Sequence, residues 1–253
     1  TIPMEVHHLT REEFDHGKTR DQAARMSQAD YLLFMTQDAL PEDRHLIEKL
    51  VEAIEQEEKI GAAYARQLPR EDCRLMEQYT RKFNYPEKSR VKWLADLPEL
   101  GIKTYFCSNV CAMYKRELYL QLGGFVKKTI FNEDMIFAGG LIQKGYGVAY
   151  AAEAKVVHSH NHSAIQQFHR NFDLAVSQAD HPEVFDGIRS EGEGIRLVKK
   201  TAGWLCRQGK PWLVIQLVWQ SGWKYLGYLL GKKYRKLPRW VIDRCTMNPK
   251  YWE

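Results

Sequence analysis

The chain has 253 residues, enough for one large domain or one domain with a substantial extension. Hydrophobic residues make up 44% and charged residues 27%, proportions that exclude a disordered or fibrous chain. The net charge of +5 is unevenly spread: from Arg196 onward 13 Lys/Arg stand against Asp243 and Glu253, so that segment carries +11 and residues 1–195 carry −6.

Thr1–Glu5 has neither the basic start nor the apolar core of a signal peptide. Met4–Leu9 alternates as a strand does, and a helix is predicted over 18–28. Tyr31–Met35 is a short apolar run that fits a buried strand. Thr36-Gln37-Asp38-Ala39 follows it directly. A carboxylate at the C-terminal end of a sheet strand points into the crevice where α/β proteins bind ligands, and there it can hold Mg²⁺ or Mn²⁺ against a diphosphate. An Asp just ahead of Pro41 is also an ordinary turn or helix cap. Pro41 suits a first helical turn, with Ile47, Leu50, Val51 and Ile54 recurring as one apolar stripe behind it. Ile60–Ala65 reads as the next strand, and the alternation predicts an α/β domain with a mainly parallel sheet.

Residues 67–103 are polar and poorly periodic, with one helix near Arg74–Phe83, as in a lid or an acceptor-side segment. Order resumes over 104–114, Gly123-Gly124 makes a turn, a helix is predicted over 133–144, and strands over 147–151 and 155–158. Asn132-Glu133-Asp134 opens that helix. Its carboxylates suit the helix dipole, and one of them could equally serve as a general base toward an acceptor hydroxyl. In His158-Ser159-His160 the two histidines share one side of an extended segment and can converge on a metal.

From Ser163 the chain reads as mostly helical. Trp212, Ile215, Trp219, Trp223, Leu226 and Leu230 form one helical stripe, followed by Lys232-Lys233-Tyr234-Arg235-Lys236. Lys224 and the glutamines make this a poor transmembrane span. The stripe fits an interfacial anchor on anionic lipid, or a face packed on the catalytic domain or in a homo-oligomer. Five cysteines without a CxxC pair read as free thiols of a reducing, cytoplasmic compartment.

In order, Tyr31–Ala39, Leu122-Gly123-Gly124-Phe125, Asn132-Glu133-Asp134, Gly145-Tyr146 and Val157-His158-Ser159-His160 resemble glycosyltransferase family 2. Within it, Phe14-Asp15-His16-Gly17-Lys18-Thr19-Arg20, the Thr36–Ala39 run and the histidine run are similar to the bacterial rhamnosyltransferases in particular. The resemblance spans essentially the whole chain. It implies a GT-A-type, Rossmann-like mixed α/β sheet flanked by helices over residues 1–162, and a helical C-terminal extension over 163–253. It also implies an inverting transferase that moves a sugar, L-rhamnose from dTDP-rhamnose, to a saccharide or lipid-linked saccharide in cell-surface polysaccharide synthesis. The setting would be the cytoplasm, peripheral to the inner face of the plasma membrane.

Carried over position by position, Asp38 matches the last acid of the family's metal-binding DxD, whose first position here is Thr36. His158 or His160 matches the late histidine that helps hold Mn²⁺ or Mg²⁺ and the diphosphate. Asp134 is expected as the base with Glu133 beside it. Gly17, Arg20 and Gln37 fall beside the donor, and Asn109 on the acceptor side. Family members open with further nucleotide-binding strands, and the first strand here matches the family's third, so the expectation is either that the N-terminal portion lies outside this sequence or that this is a shortened homologue with an incomplete donor pocket. Three rival readings stand beside this one. A metal-dependent phosphodiesterase would need more clustered ligands for two metals. A nucleic-acid-binding protein is opposed by the acidic body and the lack of a binding module. The third is a non-catalytic scaffold descended from a transferase.

Overall fold

A computed structural model describes residues 4–10, 13–188 and 191–253. Five strands lie side by side in the order β1 (Tyr31–Met35), β5 (Cys111–Lys115), β3 (Ile60–Leu68), β6 (Gly147–Val157) and β2 (Leu40–Pro41), and a short β4 (Arg90–Lys92) also pairs with β6. The sheet is mixed, as the resemblance implies, but it is not mainly parallel. Only β3 and β6 run parallel, and β5 pairs antiparallel with both β1 and β3. A buried apolar run such as Cys111–Met113 reads the same in either direction, so periodicity carries no signal for strand polarity.

Both faces of the central strands are covered. Leu46, Leu50 and Ile54 of α2 (Leu46–Glu55) close one face over Ala63, Met113 and Ala149. Leu50 and Ile54 are fully buried, each contributing about 1.5–3 kcal/mol. Ile47, placed on the predicted stripe, points to solvent instead, because the stripe runs through Leu46. The other face packs beneath α1 (His16–Met26), α5 (Arg116–Gln121) and α6 (Glu133–Gln143). There Phe34, Tyr114, Tyr119, Phe125 and Phe137 meet mostly edge to face.

Three local expectations are corrected. Residues 4–10 form no strand and are exposed, since their alternation has no partner strand to bury it. Pro41 sits in β2, the edge of the sheet where a missing N–H costs no ladder bond. The two short strands expected over 147–158 are one strand, with an irregularity opposite Ala65/Arg66. Residues 67–103 contain α3 (Leu75–Asn84), β4 and α4 (Leu97–Leu100), and so are ordered against the sheet.

The C-terminal part is helical. α7 (Ala164–Asp180) opens on a Ser163–Gln166 capping box, and α8 (Pro182–Phe185) and α9 (Glu191–Arg207) follow. α10 (Leu213–Lys232) lies along α7. A Cβ at Gly227 would run into the backbone carbonyl of Phe168, and one at Gly231 into that of Phe172, so the two helices touch backbone to backbone there. The Asp173 carboxylate accepts from Thr246 Oγ1 (2.7 Å) and Met247 N (2.9 Å), which pins the end of α11 (Arg239–Cys245) to α7. Gly227→Ala should therefore destabilise the protein by about 1–3 kcal/mol in urea denaturation. Gly222→Ala, where an added Cβ meets nothing, should be neutral or stabilising by about 0.5–1 kcal/mol. Equal midpoints for the two variants would contradict this packing. No helix among the described residues is long and apolar enough to cross a membrane. All five cysteines are free.

Candidate active site

One edge of the sheet gathers the polar residues singled out in the sequence. β1 ends into Thr36-Gln37-Asp38, β3 ends at Gln67 and Leu68, and β6 ends into His158-Ser159-His160. β5 is antiparallel to β1, so its start, preceded by Ser108-Asn109-Val110, comes to the same edge. That short turn joins the pieces. Ser108 Oγ accepts from Gln67 Nε2 (3.0 Å), Asn109 N donates to Asp134 Oδ2 (2.9 Å), and Val110 O accepts from Thr36 N (3.2 Å).

Asp38 Oδ2 lies 3.4 Å from His158 Nε2 and 3.3 Å from His160 Nε2, and the three ligand atoms fall within 4.8 Å of one another. The tautomer of His158 follows from its neighbours. Arg81 can only donate, and its Nη1 bonds Gln67 Oε1 (2.5 Å), so the atom that faces His158 Nδ1 at 3.1 Å is an oxygen. His158 Nδ1 therefore carries the proton, and its Nε2 lone pair faces the Asp38 carboxylate. Burial pushes the His158 pKa down to about 4, so the ring is neutral at neutral pH. Two lone-pair-bearing atoms held this close repel each other unless a cation lies between them. The donor set thus fits a divalent metal, with Gln67 fixing the ligand's orientation as outer partners of metal-bound histidines do. Burial raises the Asp38 pKa, but the Thr36 hydroxyl beside it is the largest of the opposing causes and the net shift is downward. Loop 70–74 holds the histidine run in place: Arg70 N donates to Ser159 Oγ and Arg74 N to Asn161 Oδ1.

The acid pair sits at the first turn of α6. Asn132 precedes it with φ 64°, a left-handed conformation that Asn tolerates better than most residues and that turns the chain sharply into the helix. Glu133 is buried, and its Oε1 is held twice, ion-paired with Arg20 of α1 and accepting from Asn109 Nδ2 (3.2 Å). Asp134 keeps part of its surface open while protein crowds its other sides. Its two oxygens accept from Asn109 N and from Met135 N (2.8 Å), leaving each a second lone pair. Burial first, then the adjacent Glu133 charge, push the Asp134 pKa upward toward neutrality, against the pull of the two backbone N–H groups. A carboxylate poised this way can take a proton near neutral pH.

The remaining expected residues divide. Gly17 is buried under Val126, whose carbonyl a Cβ would strike, so it serves helix packing. Arg20 is brought to the acid pair. Gln37 is exposed beside Asp38. Asn109 joins the site, but both ends of its amide are used inside the protein, on Glu133 and on the Tyr114 hydroxyl (2.9 Å). Arg81 and Arg170 lacked any sequence signal. Arg170 of α7 lies over the Phe131 ring at 4.6 Å, and burial, then the nearby Arg81, lower its pKa while Asp134 and Glu77 raise it. Lys224 of α10 is pushed down by burial near Glu77 and the same two arginines. His16 of α1, lowered by burial, lies near Glu133 and Arg20.

The sequence model described as "Glycosyl transferase family 2" matches residues 3–123, a span that includes Asp38 and stops short of the acid pair and the histidines. Two relatives extend through the whole site. The O-antigen chain rhamnosyltransferase WbaN of Salmonella anatum is 38% identical over 248 residues, covering 96% of this chain and 78% of its own. The O-antigen chain rhamnosyltransferase RfbN of Salmonella typhimurium is 40% identical over 253 residues, covering 98% and 79%. Among solved structures, the mannosyltransferase PcManGT of Pyrobaculum calidifontis, in complex with GDP-Man and Mn²⁺, superposes with a TM-score of 0.52 at 14% identity, covering 87% of this chain and 66% of that one. That likeness concerns the fold alone, which is of the GT-A type.

Proposed function

The chain belongs to glycosyltransferase family 2, and from that premise we propose that it is an inverting rhamnosyltransferase of O-antigen-type polysaccharide synthesis, acting on dTDP-rhamnose and a lipid-linked saccharide. The observation that carries the chemistry is the convergence of Asp38, His158 and His160 with Asp134 on one sheet edge, tied together by Ser108-Asn109-Val110. Rhamnose as the transferred sugar rests on the two relatives.

A divalent cation held by Asp38, His158 and His160 would supply positive charge to the departing diphosphate. The protein's own residues do the rest. Asp134 takes the proton of the acceptor hydroxyl, the freed oxygen bonds to the anomeric carbon, and the bond from that carbon to the diphosphate breaks with its electron pair leaving on phosphate. With the base opposite the leaving group, the anomeric configuration inverts. Glu133, clamped by Arg20 and Asn109, positions the first turn of α6 and adds the like charge that raises the Asp134 pKa. Arg170 and Arg81 offer charge to the phosphate side of the crevice. Asn109 positions the carboxylates and does not itself meet the acceptor. Residues 1–162 would form the catalytic unit and 163–253 the helical extension that lends it Arg170.

The reading is tested by release of nucleotide from dTDP-rhamnose, UDP-sugars and GDP-sugars by the full chain with a lipid-linked saccharide present. Mn²⁺- or Mg²⁺-dependent turnover of dTDP-rhamnose, giving a product of inverted anomeric configuration, is expected. Turnover of another donor in preference would overturn the rhamnose assignment, and a retained configuration would overturn the mechanism.

A further inference from the structure

Helix α10 has two faces with different fates. Leu217, Trp223, Gly227, Tyr228, Leu230 and Gly231 turn inward, against α7 and the neighbouring helices. Trp212 at its start, then Ile215, Val218, Trp219, Tyr225, Leu226 and Leu229 are exposed, Ile215 at 77% and Trp219 at 63%. At 100° per residue these positions fall within an arc of about 140°. So the stripe expected from sequence is split: Trp223 and Leu230 belong to the core, and a second apolar face looks outward. Trp240 of α11, 63% exposed, adds a further large side chain.

We propose that this outward face of α10, with Trp240, seats in the interfacial layer of an anionic membrane. The chemistry of its rim selects the occupant. Between residues 207 and 244, apart from the buried Lys224, eight Lys/Arg stand against one acid, Asp243, and α10 itself contains no Asp or Glu. Lys210, Lys232, Lys233 and Lys236 at its ends are exposed. A second copy of the chain docked on this face would set two strongly cationic rims against each other, whereas an anionic lipid surface neutralises both. Tryptophan and tyrosine beside lysines are the side chains that settle at headgroup depth. A spanning helix is excluded for α10, which has 20 residues but lacks the apolarity needed to cross a bilayer and spends its other face on α7. One consequence rests on the proposed lipid-linked acceptor: α7, which carries Arg170 toward the crevice, lies directly behind α10, so the bound enzyme would hold its crevice close to the lipid surface.

The test is co-sedimentation of the full chain with vesicles of phosphatidylcholine alone or mixed with phosphatidylglycerol. Binding to the anionic vesicles is expected, roughly tenfold or more above the neutral ones, and weakened by high salt. Trp212→Ser/Trp219→Ser/Trp240→Ser and, separately, Lys233→Gln/Lys236→Gln should each reduce it roughly tenfold or more. Ile47→Ala, an exposed apolar change on α2, should leave it unchanged. Transfer to a water-soluble acceptor should be unaffected in all three, which separates loss of membrane contact from loss of fold or of the proposed activity. Equal binding to both vesicle types, or wild-type binding by the tryptophan variant, would overturn the proposal. So would a wild-type dimer in sedimentation velocity that the tryptophan variant abolishes, since a second copy would then be the occupant.

Discussion

Replacing Asp134 by Asn is expected to slow sugar transfer by roughly 10²–10⁴-fold, the contribution usual for a positioned general base. The substitution keeps the size of the side chain, and one end of the amide can still accept from Asn109 N, so α6 should stay in place. What it removes is a basic lone pair. Donor affinity should change little, because the base faces the acceptor. The pH dependence follows from the direction of the shift. A base works deprotonated, so kcat/KM should rise with pH through its pKa. Burial and the Glu133 charge lift that pKa above the ordinary value near 4, and the acid limb should therefore lie near neutrality. Glu133→Gln removes the like charge and releases Arg20 to act on Asp134 alone, so the limb should move to lower pH while transfer persists. If Asp134→Asn transfers normally and Glu133→Gln is dead, the roles of the two carboxylates are reversed.

Asp38→Ala should abolish metal-dependent donor binding while leaving the fold intact. Asp38 is the only carboxylate of its cluster, and without it His158 and His160 offer two imidazole nitrogens and no negative charge. The loss should exceed the roughly 10–100-fold that removal of a ligand's outer partner costs. Calorimetry of the sugar nucleotide with and without Mn²⁺ reads it directly: the metal should strengthen binding to the wild type and have no effect on the variant. Undiminished metal enhancement in Asp38→Ala would remove this residue from the site. The same cluster weighs against a two-metal phosphodiesterase, for among the described residues it supplies one carboxylate and two imidazoles.

Much of this arrangement could be read from local sequence, and the rest could not for definable reasons. Tyr31–Met35, the start of α6 at Glu133 and the end of β6 before His158 carry their signals in neighbouring residues, and each lies where it was expected. Asp38 and a histidine on one metal came only as what the family resemblance implies, and the fold brings them together because both follow strand ends on the same side of the sheet. Strand direction did not follow, since an apolar run has none. Neither did the partners that decide the chemistry. Arg20 meets Glu133 across 113 residues of chain, and Gln67 meets His158 across 91, and nothing in either segment alone announces the other. The family resemblance puts Asn109 on the acceptor side. Only the fold shows both ends of its amide taken up by Glu133 and Tyr114. The stripe on α10 shows a similar limit: a helical period identifies an apolar face, and it cannot divide a wide face between core and surface.

Single-turnover transfer by the full chain, with donor and Mn²⁺ bound beforehand and acceptor added last, tests the general base most directly when wild type is compared with Asp134→Asn. The variant should hold its donor as the wild type does and transfer it at least about 100-fold more slowly. Transfer at the wild-type rate from the same bound donor would contradict that role for Asp134.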